Sequence, residues 1–285
     1  MAVWCTGGVG LRIGLLILVV AALPVVAVST AQPGYALSSG AGTAIGAHGF
    51  DTCLDPSEGA MRAWWPNTPW WWVGVYVGGS EMACSQPNLS ARWLDDAART
   101  GWRFEFIWVG PQAPCTGYRD TFSADPATAY QQGRSEGNAA FLALMGLGLA
   151  GSALGTPLVY DLEAFDPSCQ GALAAAAAFV HGWVDQLHLA PAQAAGLYGS
   201  TCGSSLESYA PAPYPDFIWG ASWDGSQSTG VMPCVAPESW ANRQRLKQYA
   251  GGHVETWNGV ALDIDSDCAN GPVAPTAVTV SSSCS

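Results

Sequence analysis

Positive charge is scarce in this sequence: ten Lys and Arg stand against 22 Asp and Glu in 285 residues, for a formal net charge of -12. A chain without clustered bases cannot grip the phosphates of a nucleic acid or the headgroups of an anionic membrane, and polyphosphate partners are excluded for the same reason. Close C-x-x-C pairs are missing, which removes a compact zinc site, and His48, His181, His188 and His253 show no ligand spacing. His181 and His188 read as structural, while His48, beside the first strand, is a candidate for contact with a pocket. There is no G-x-S-x-G elbow for a serine nucleophile. An interior linker is absent too, and 285 residues with 49% hydrophobic content can bury one large core.

Two motif look-alikes fail on context. Asp263-Ile264-Asp265-Ser266-Asp267 starts like a calcium loop, but its sixth position is Cys268 where glycine is needed and its twelfth is Ala274 where glutamate is needed. Gly146-Leu147-Gly148-Leu149-Ala150-Gly151 spells G-x-G-x-x-G at the close of an apolar helix, whereas a dinucleotide site opens a helix after a strand. Neither metal nor cofactor is expected.

The N-terminus reads as an export signal over residues 1–31: Arg12, an apolar segment from Ile13 to about Val28 broken by Pro24, and the small residues Ser29-Thr30-Ala31 before the cut. The apolar run falls just short of the ~20 residues that span a bilayer, which makes an uncleaved anchor the competing reading; the segment's length and flanks favour cleavage, after which no stable membrane insertion is expected. Without Cys5 the mature chain keeps Cys53, Cys84, Cys115, Cys169, Cys202, Cys234, Cys268 and Cys284, an even set that suits disulfides in an oxidising compartment, with connectivity left open by the spacing. Residues 32–47 are rich in Gly, Ala and Ser and read as a flexible leader, residues 48–270 as the folded domain, and residues 271–285 as a tail.

Within the domain, short β-like runs alternate with helical segments. The runs are His48 to Cys53, Trp72 to Gly78, Arg103 to Val109, Pro157 to Ala164, Ala195 to Gly199, Phe217 to Trp223, Leu246 to Ala250 and Val260 to Asp265. Helices are predicted around Glu58 to Trp64, Leu89 to Thr100 (capped by Asn88 or Ser90), Pro126 to Ala150, Gln170 to Leu187 and Ser204 to Tyr209. The fold class is therefore α/β, a TIM-like barrel of five β/α units followed by three strands, with its site at the strands' C-terminal ends.

The acids fall where such a barrel needs them. Asp161 and Glu163 end an apolar run one residue apart, so in a strand they share a face with Cα atoms about 6.6 Å apart. Asp51 lies late in the first strand, and Asp263 and Asp265 end the eighth, adjacent to the first in a closed barrel. Phe50, Tyr160, Leu162, Leu262 and Ile264 alternate with them and are assigned to the outer helices. A lone D-x-E is more often a structural ion pair or a solvated strand end, but few arginines or lysines exist to pair with these acids. Mutual repulsion and burial raise the pKa of at least one, as an acid that donates a proton near neutral pH requires. Of the 14 Trp, Trp108, Trp219 and Trp223 sit near predicted strand ends where they could stack on sugar faces, and the others read mostly as core.

Several phrases in order resemble a known family: Gly49-Phe50-Asp51-Thr52-Cys53, Val75-Tyr76-Val77-Gly78-Gly79, Ile107-Trp108-Val109-Gly110-Pro111, Tyr160-Asp161-Leu162-Glu163, Trp219-Gly220-Ala221-Ser222-Trp223, and Lys247-Gln248-Tyr249 with Val260 to Asp265. From Gly49 to Cys268 the chain looks like the glycoside-hydrolase-like domain called domain of unknown function 1906, found in secreted bacterial proteins. More distantly it is similar to the lysozymes of glycoside hydrolase family 25. It departs from those lysozymes at Cys53, where many have serine, and at Trp223, where tyrosine is usual. The resemblance implies Glu163 as proton donor, Asp161 as the partner that orients or stabilises the reacting sugar, and Asp51 and Asp263 as supporting acids. Trp223, Trp219, Gln248, Asp265 and Trp108 are the substrate-binding candidates.

Two carboxyls on one strand do not straddle a sugar, so a direct nucleophile opposite the acid is disfavoured. The expected route is substrate-assisted: the N-acetyl group attacks, Asp161 orients it, and Glu163 is acid and then base. The expected partner is a cell-wall polysaccharide containing N-acetylhexosamine, hydrolysed by a secreted monomer; a glycan-binding protein without turnover is the alternative.

Overall fold

The computed structural model describes residues 42–149, 156–189, 193–204, 206–212, 214–274 and 284. The expected signal peptide and the leader as far as residue 41 lie outside the described residues. The elements run β1 (Gly42–Thr43), β2 (Ala47–Asp51), α1 (Glu58–Trp64), β3 (Trp72–Gly78), α2 (Ala91–Thr100), β4 (Arg103–Trp108), α3 (Pro126–Gly146), β5 (Pro157–Asp161), α4 (Ala172–Leu187), β6 (Ala194–Ser200), α5 (Leu206–Tyr209), β7 (Phe217–Ala221), β8 (Arg245–Trp257), β9 (Val260–Asn270) and β10 (Pro272–Val273). Strands β2 to β9 close a barrel in sequence order. Five β/α units come first and three strands follow, which bears out the expected class.

Local chemistry sets the helix starts. Ser57 and Ser90 accept hydrogen bonds from Ala60 N and Trp93 N, and Asp125 accepts from Thr128 N with Pro126 behind it. Each side chain satisfies a backbone donor left free in a first turn. Ser90, not Asn88, is thus the cap of α2, while Gly101 at φ 127 ends it.

Period-2 alternation divides the barrel into two apolar layers. Phe50, Phe104, Phe106, Tyr160 and Leu197 point outward and pack with helix residues such as Trp93, Phe179 and Trp183. Trp72, Ile107, Val159, Phe217, Trp219 and Leu246 fill the interior. Glycines make room for the interior rings: a Cβ on Gly49 would lie 2.0 Å from Trp72, and one on Gly196 2.4 Å from Phe217. Small positions opposite large ones are how a barrel of this size fills its centre.

Several boundaries differ from expectation. β5 stops at Asp161 instead of Ala164: Leu162 N still donates to Tyr198 O of β6, but Glu163 N turns to the Gln112 side chain where a strand partner would be. β8 and β9 are much longer than predicted, and β9 runs antiparallel to both β8 and β2. They form a hairpin whose turn, Asn258-Gly259, has positive φ at both residues (48° and 78°), the Asn-Gly turn signal of a tight hairpin. Beyond the bulges near Ala250 this hairpin becomes an arm, fastened by Trp64 Nε1 to Val260 O and by Trp70 Nε1 to Glu255. Last, part of the supposed leader is structured: β1 pairs with β10, and β2 begins at Ala47.

Two of the cations, Arg245 and Lys247, point away from the acids of the barrel floor. The Arg245 guanidinium donates to the carbonyls of Ser239, Ala236, Pro237, Thr229 and Gly230, and Lys247 Nζ reaches Asp224 and Val231 O, so both organise the long β7–β8 loop. Disulfides join Cys53–Cys84, Cys115–Cys169, Cys202–Cys234 and Cys268–Cys284. Among the described residues no helix is long and apolar enough to cross a membrane.

Helices α3 and α4 touch through backbone. A Cβ on Gly182 would lie 2.0 Å from Tyr130 O, and one on Gly133 2.0 Å from Phe179 O. Gly182→Ala is therefore expected to destabilise by roughly 1–3 kcal/mol, the usual penalty for overpacking. Gly146→Ala, with open space around it, is expected to be neutral or to stabilise by up to about 1 kcal/mol through helix propensity. Denaturant unfolding of both variants checks the contrast.

Candidate active site

Strand polarity brings the site together. Asp51, Asp161 and Tyr198 lie at or near the C-terminal ends of parallel strands, and β9, entering from the same end, places Asp265 opposite Asp51 and Asp267 opposite Gln248. Asp51, Tyr76, Asp161, Tyr198, Trp219 and Gln248 line a small hollow at the floor. Three larger spaces open around it. One of about 730 Å³ lies between the β2–α1 loop and the arm, bordered by Asp51, Tyr76, Asp263 and Asp265. A second, of about 170 Å³, is walled by Glu81 to Cys84, Val109 and Tyr118 and shares Tyr76, Asp161 and Glu163. A third, of about 360 Å³, runs past Glu163 and Tyr198 to Trp223. Glu163 stands where the last two meet.

Gln248 is the hub of the floor. Its Nε2 donates to Asp51 Oδ2 at 2.8 Å and Asp265 Oδ2 at 3.2 Å, while its Oε1 accepts from the Tyr198 hydroxyl and Trp223 Nε1, both at 2.9 Å. A neutral amide thus bridges two like-charged groups. Asp267, fully buried, accepts from Trp219 Nε1 at 2.8 Å and faces Asp51. Asp161, in turn, interacts with Glu163. Among the described residues none of Asp51, Asp161, Glu163, Asp265 and Asp267 is in an ion pair with Lys or Arg.

Proton affinity follows from this setting. Burial, then the charge of Asp265, pushes Asp51 up to about 7 against the hydrogen bonds of Gln248, Asp267 and Tyr76. Burial also holds Asp161 well above the usual carboxylate range, with the charges of Glu163 and Asp51 adding to it. Glu163 and Asp265 are raised by burial, the first against the hydrogen bond from Asp161, the second against the Gly252 N–H. Asp267 is raised well above normal by burial and by the charge of Asp51. Carboxyls this close share protons, so the cluster retains acid near neutral pH.

Some anticipated residues occupy other places. Trp108 shares the outward face of β4 with Phe104 and Phe106; its Nε1 donates to Glu136 at 2.7 Å and it lines none of these spaces. Trp219 points inward, 1% exposed between Trp72 and Tyr198, and offers no open face for stacking. Trp223 is the exposed aromatic, at 67%, with its ring over Gly251. Asp263 is on the arm, paired with Val254, and borders only the largest space. His48 packs against Trp70 and lines none of them.

Asp267, Tyr76, Tyr198 and Gln112 were not anticipated. Continuing the alternation of Asp263 and Asp265 by one step reaches Asp267, and Tyr76 and Tyr198 lie on inward positions of predicted strands. For Gln112 no sequence signal exists.

Together, a closed α/β barrel and an acid cluster at its mouth define a glycoside-hydrolase-like protein. A model of the family described as Rv2525c-like, glycoside hydrolase-like domain, matches residues 62–269, and the chain belongs to that family. Among solved structures, an uncharacterized B. stearothermophilus protein is 15% identical over 79% of this chain and 96% of its own, with a TM-score of 0.54. The Clostridium perfringens spore cortex lytic enzyme SleM is 14% identical over 79% of this chain and 68% of its own, at 0.53. At these identities the likeness is one of fold. No curated protein matches the chain.

Each raised carboxyl lets the folded state hold a proton that the unfolded chain releases, so the stability it contributes is present below its unfolded pKa and lost as pH rises through the folded value. For Asp51 that window runs from 3.8 to about 7. Thermal midpoints are expected to fall by several degrees from pH 4 to pH 8. Asp267→Asn, which keeps a donor for Asp51 and an acceptor for Trp219, is expected to flatten the decline; a midpoint that rises over this range contradicts the assignment.

Proposed function

We propose that the protein hydrolyses N-acetylhexosamine-containing glycan of the cell envelope, with peptidoglycan as the substrate class, outside the cytoplasm. The observation that carries this is the Asp161–Glu163 pair, raised in proton affinity and hydrogen-bonded to each other where the spaces of the mouth converge. Glycosidic cleavage needs a proton for the leaving oxygen and a negative group near the oxocarbenium-like centre. Glu163, the more exposed member, is the acid that meets the leaving oxygen and later the base that activates water. Asp161 orients the sugar's own acetamido group, which attacks in place of a protein nucleophile. Because both carboxyls lie on one side of the bond, this substrate-assisted route suits them. Asp51, held by Gln248, and Asp263, on the arm, support the pocket, and Trp223 offers an open ring face to a sugar. Four disulfides suit an oxidising, extracellular setting.

A second reading, glycan binding without turnover, is favoured by one observation: Asp161, the inner acid of the pair, is only 5% exposed, which limits its contact with a sugar. Glu163→Gln is expected to lower turnover of purified peptidoglycan or N-acetylated chitin-like oligomers by about 100-fold or more and to leave the thermal midpoint near that of the parent. Equal turnover by the variant removes Glu163 from the role of acid; saturable binding without turnover by the parent identifies the second reading.

A further inference from the structure

Glu163 lies beyond the end of β5, where sheet pairing no longer aims it. β4 and β5 pair only as far as Trp108 and Tyr160, and β5 ends at Asp161. Without another restraint, the side chain two residues past a pairing limit has no fixed relation to the strand's inward face. On the β6 side Leu162 N still donates to Tyr198 O, and on the β4 side the restraint present is one side chain. Gln112, fully buried on the loop after β4, accepts from Glu163 N at 2.8 Å and donates to Asp161 O at 2.9 Å and Gly110 O at 3.0 Å.

We infer that Gln112 is the positioning residue of the acid pair: its amide replaces the missing strand partner and keeps Glu163 on the same face as Asp161. The pattern of bonds supports this. A paired strand would present one acceptor and one donor to the Asp161–Glu163 segment, and the Gln112 amide presents both, to Glu163 N and Asp161 O. The third bond, to Gly110 O, ties the amide to its own loop. That loop is itself anchored: Tyr160 OH donates to Pro111 O at 2.7 Å, Gln112 N donates to Asp120 O at 2.9 Å, and three residues on Cys115 is bonded to Cys169 of the loop after β5. The two loops are thus joined by a covalent bond and by the amide, and only the amide touches the acid-bearing segment. Asparagine is one methylene too short for this span, and glutamate keeps the acceptor but loses both donors.

A purely structural glutamine and a positioning one differ in what they do to the acids. The other titratable groups around the pair are Asp51 and Asp265 across the floor, the phenols of Tyr76, Tyr118, Tyr160, Tyr198 and Tyr209, and Glu81 on the second wall. None of them is altered by a substitution at position 112. A change in the pair's titration in that variant therefore reports the pair's own geometry.

The test follows the carboxyl carbons of Asp161 and Glu163 by NMR titration, and amide exchange at Glu163, in the full chain. In Gln112→Ala the Glu163 amide is expected to lose its protection, and the upper titration step of the pair to fall by about one pH unit, a tenfold loss of proton affinity. The thermal midpoint should drop by only on the order of 5 °C. A Glu163 amide and a pair titration identical to the parent overturn the inference. Should Gln112→Ala not fold, Gln112→Met, of similar length and uncharged, decides: loss of Glu163 protection with a lowered upper titration step supports the assignment, and a parent-like amide and titration overturn it. On the hydrolase reading, kcat falls 10- to 100-fold with KM unchanged. That clause rests on the proposed function, whereas titration and exchange need no turnover, so failure of one is distinguishable from failure of the other.

Discussion

Five carboxyl groups share the mouth of this barrel without a lysine or arginine among them, and much of the site's arrangement answers that constraint. Charge repulsion at short range in a buried setting amounts to several kcal/mol unless it is relieved. Here relief comes from burial, which pushes Asp161 and Asp267 toward their neutral forms, and from the neutral amide of Gln248 between Asp51 and Asp265. The few bases of the chain do other work: Arg245 and Lys247 alternate outward on the strand that points Gln248 inward. A single strand thus sends its cations to the long outer loop and its neutral donor to the acids.

The walls of the site are stabilised differently from its floor. Sheet pairing holds the floor, but the loops above it have none, and three disulfides take over. Cys53–Cys84, Cys115–Cys169 and Cys202–Cys234 each bond the loop after one strand to the loop after the next, around successive thirds of the mouth. Cross-links of this kind reduce the freedom of the unfolded chain and limit loop motion once folded. Hydrogen bonds add to the first pair, where Gln86 Nε2 donates to Cys53 O and Asn88 Nδ2 to Asp55 O. Where the acids of the floor have no cationic partners, covalent and amide links hold the segments that carry them.

Much of the barrel was legible because its strands obey period 2 and its helices carry clean caps. Every predicted barrel strand exists, and Phe50, Tyr160, Leu162 and Ile264 do pack outward. The Asn258-Gly259 turn was a readable signal of the long β8–β9 hairpin that the strand boundaries passed over. Trp108 shows the opposite failure: nearness to a strand end says nothing about face, and its parity with Phe104 and Phe106 was the better guide. Gln112 was illegible in principle, since what it does depends on a segment 51 residues away.

The sequence by itself determined which residue types alternate along each strand, that acids outnumber bases, and that the cysteines come in an even set, since these are properties of neighbours along the chain. Only the tertiary structure decided the direction of β9, hence the inward turn of Asp267, the outward packing of Trp108, the disulfide pairs, and the hold of Gln112 on Glu163. The physical reason is that each of these depends on which strands become neighbours when the barrel closes, and closure is set by the packing of all eight strands at once.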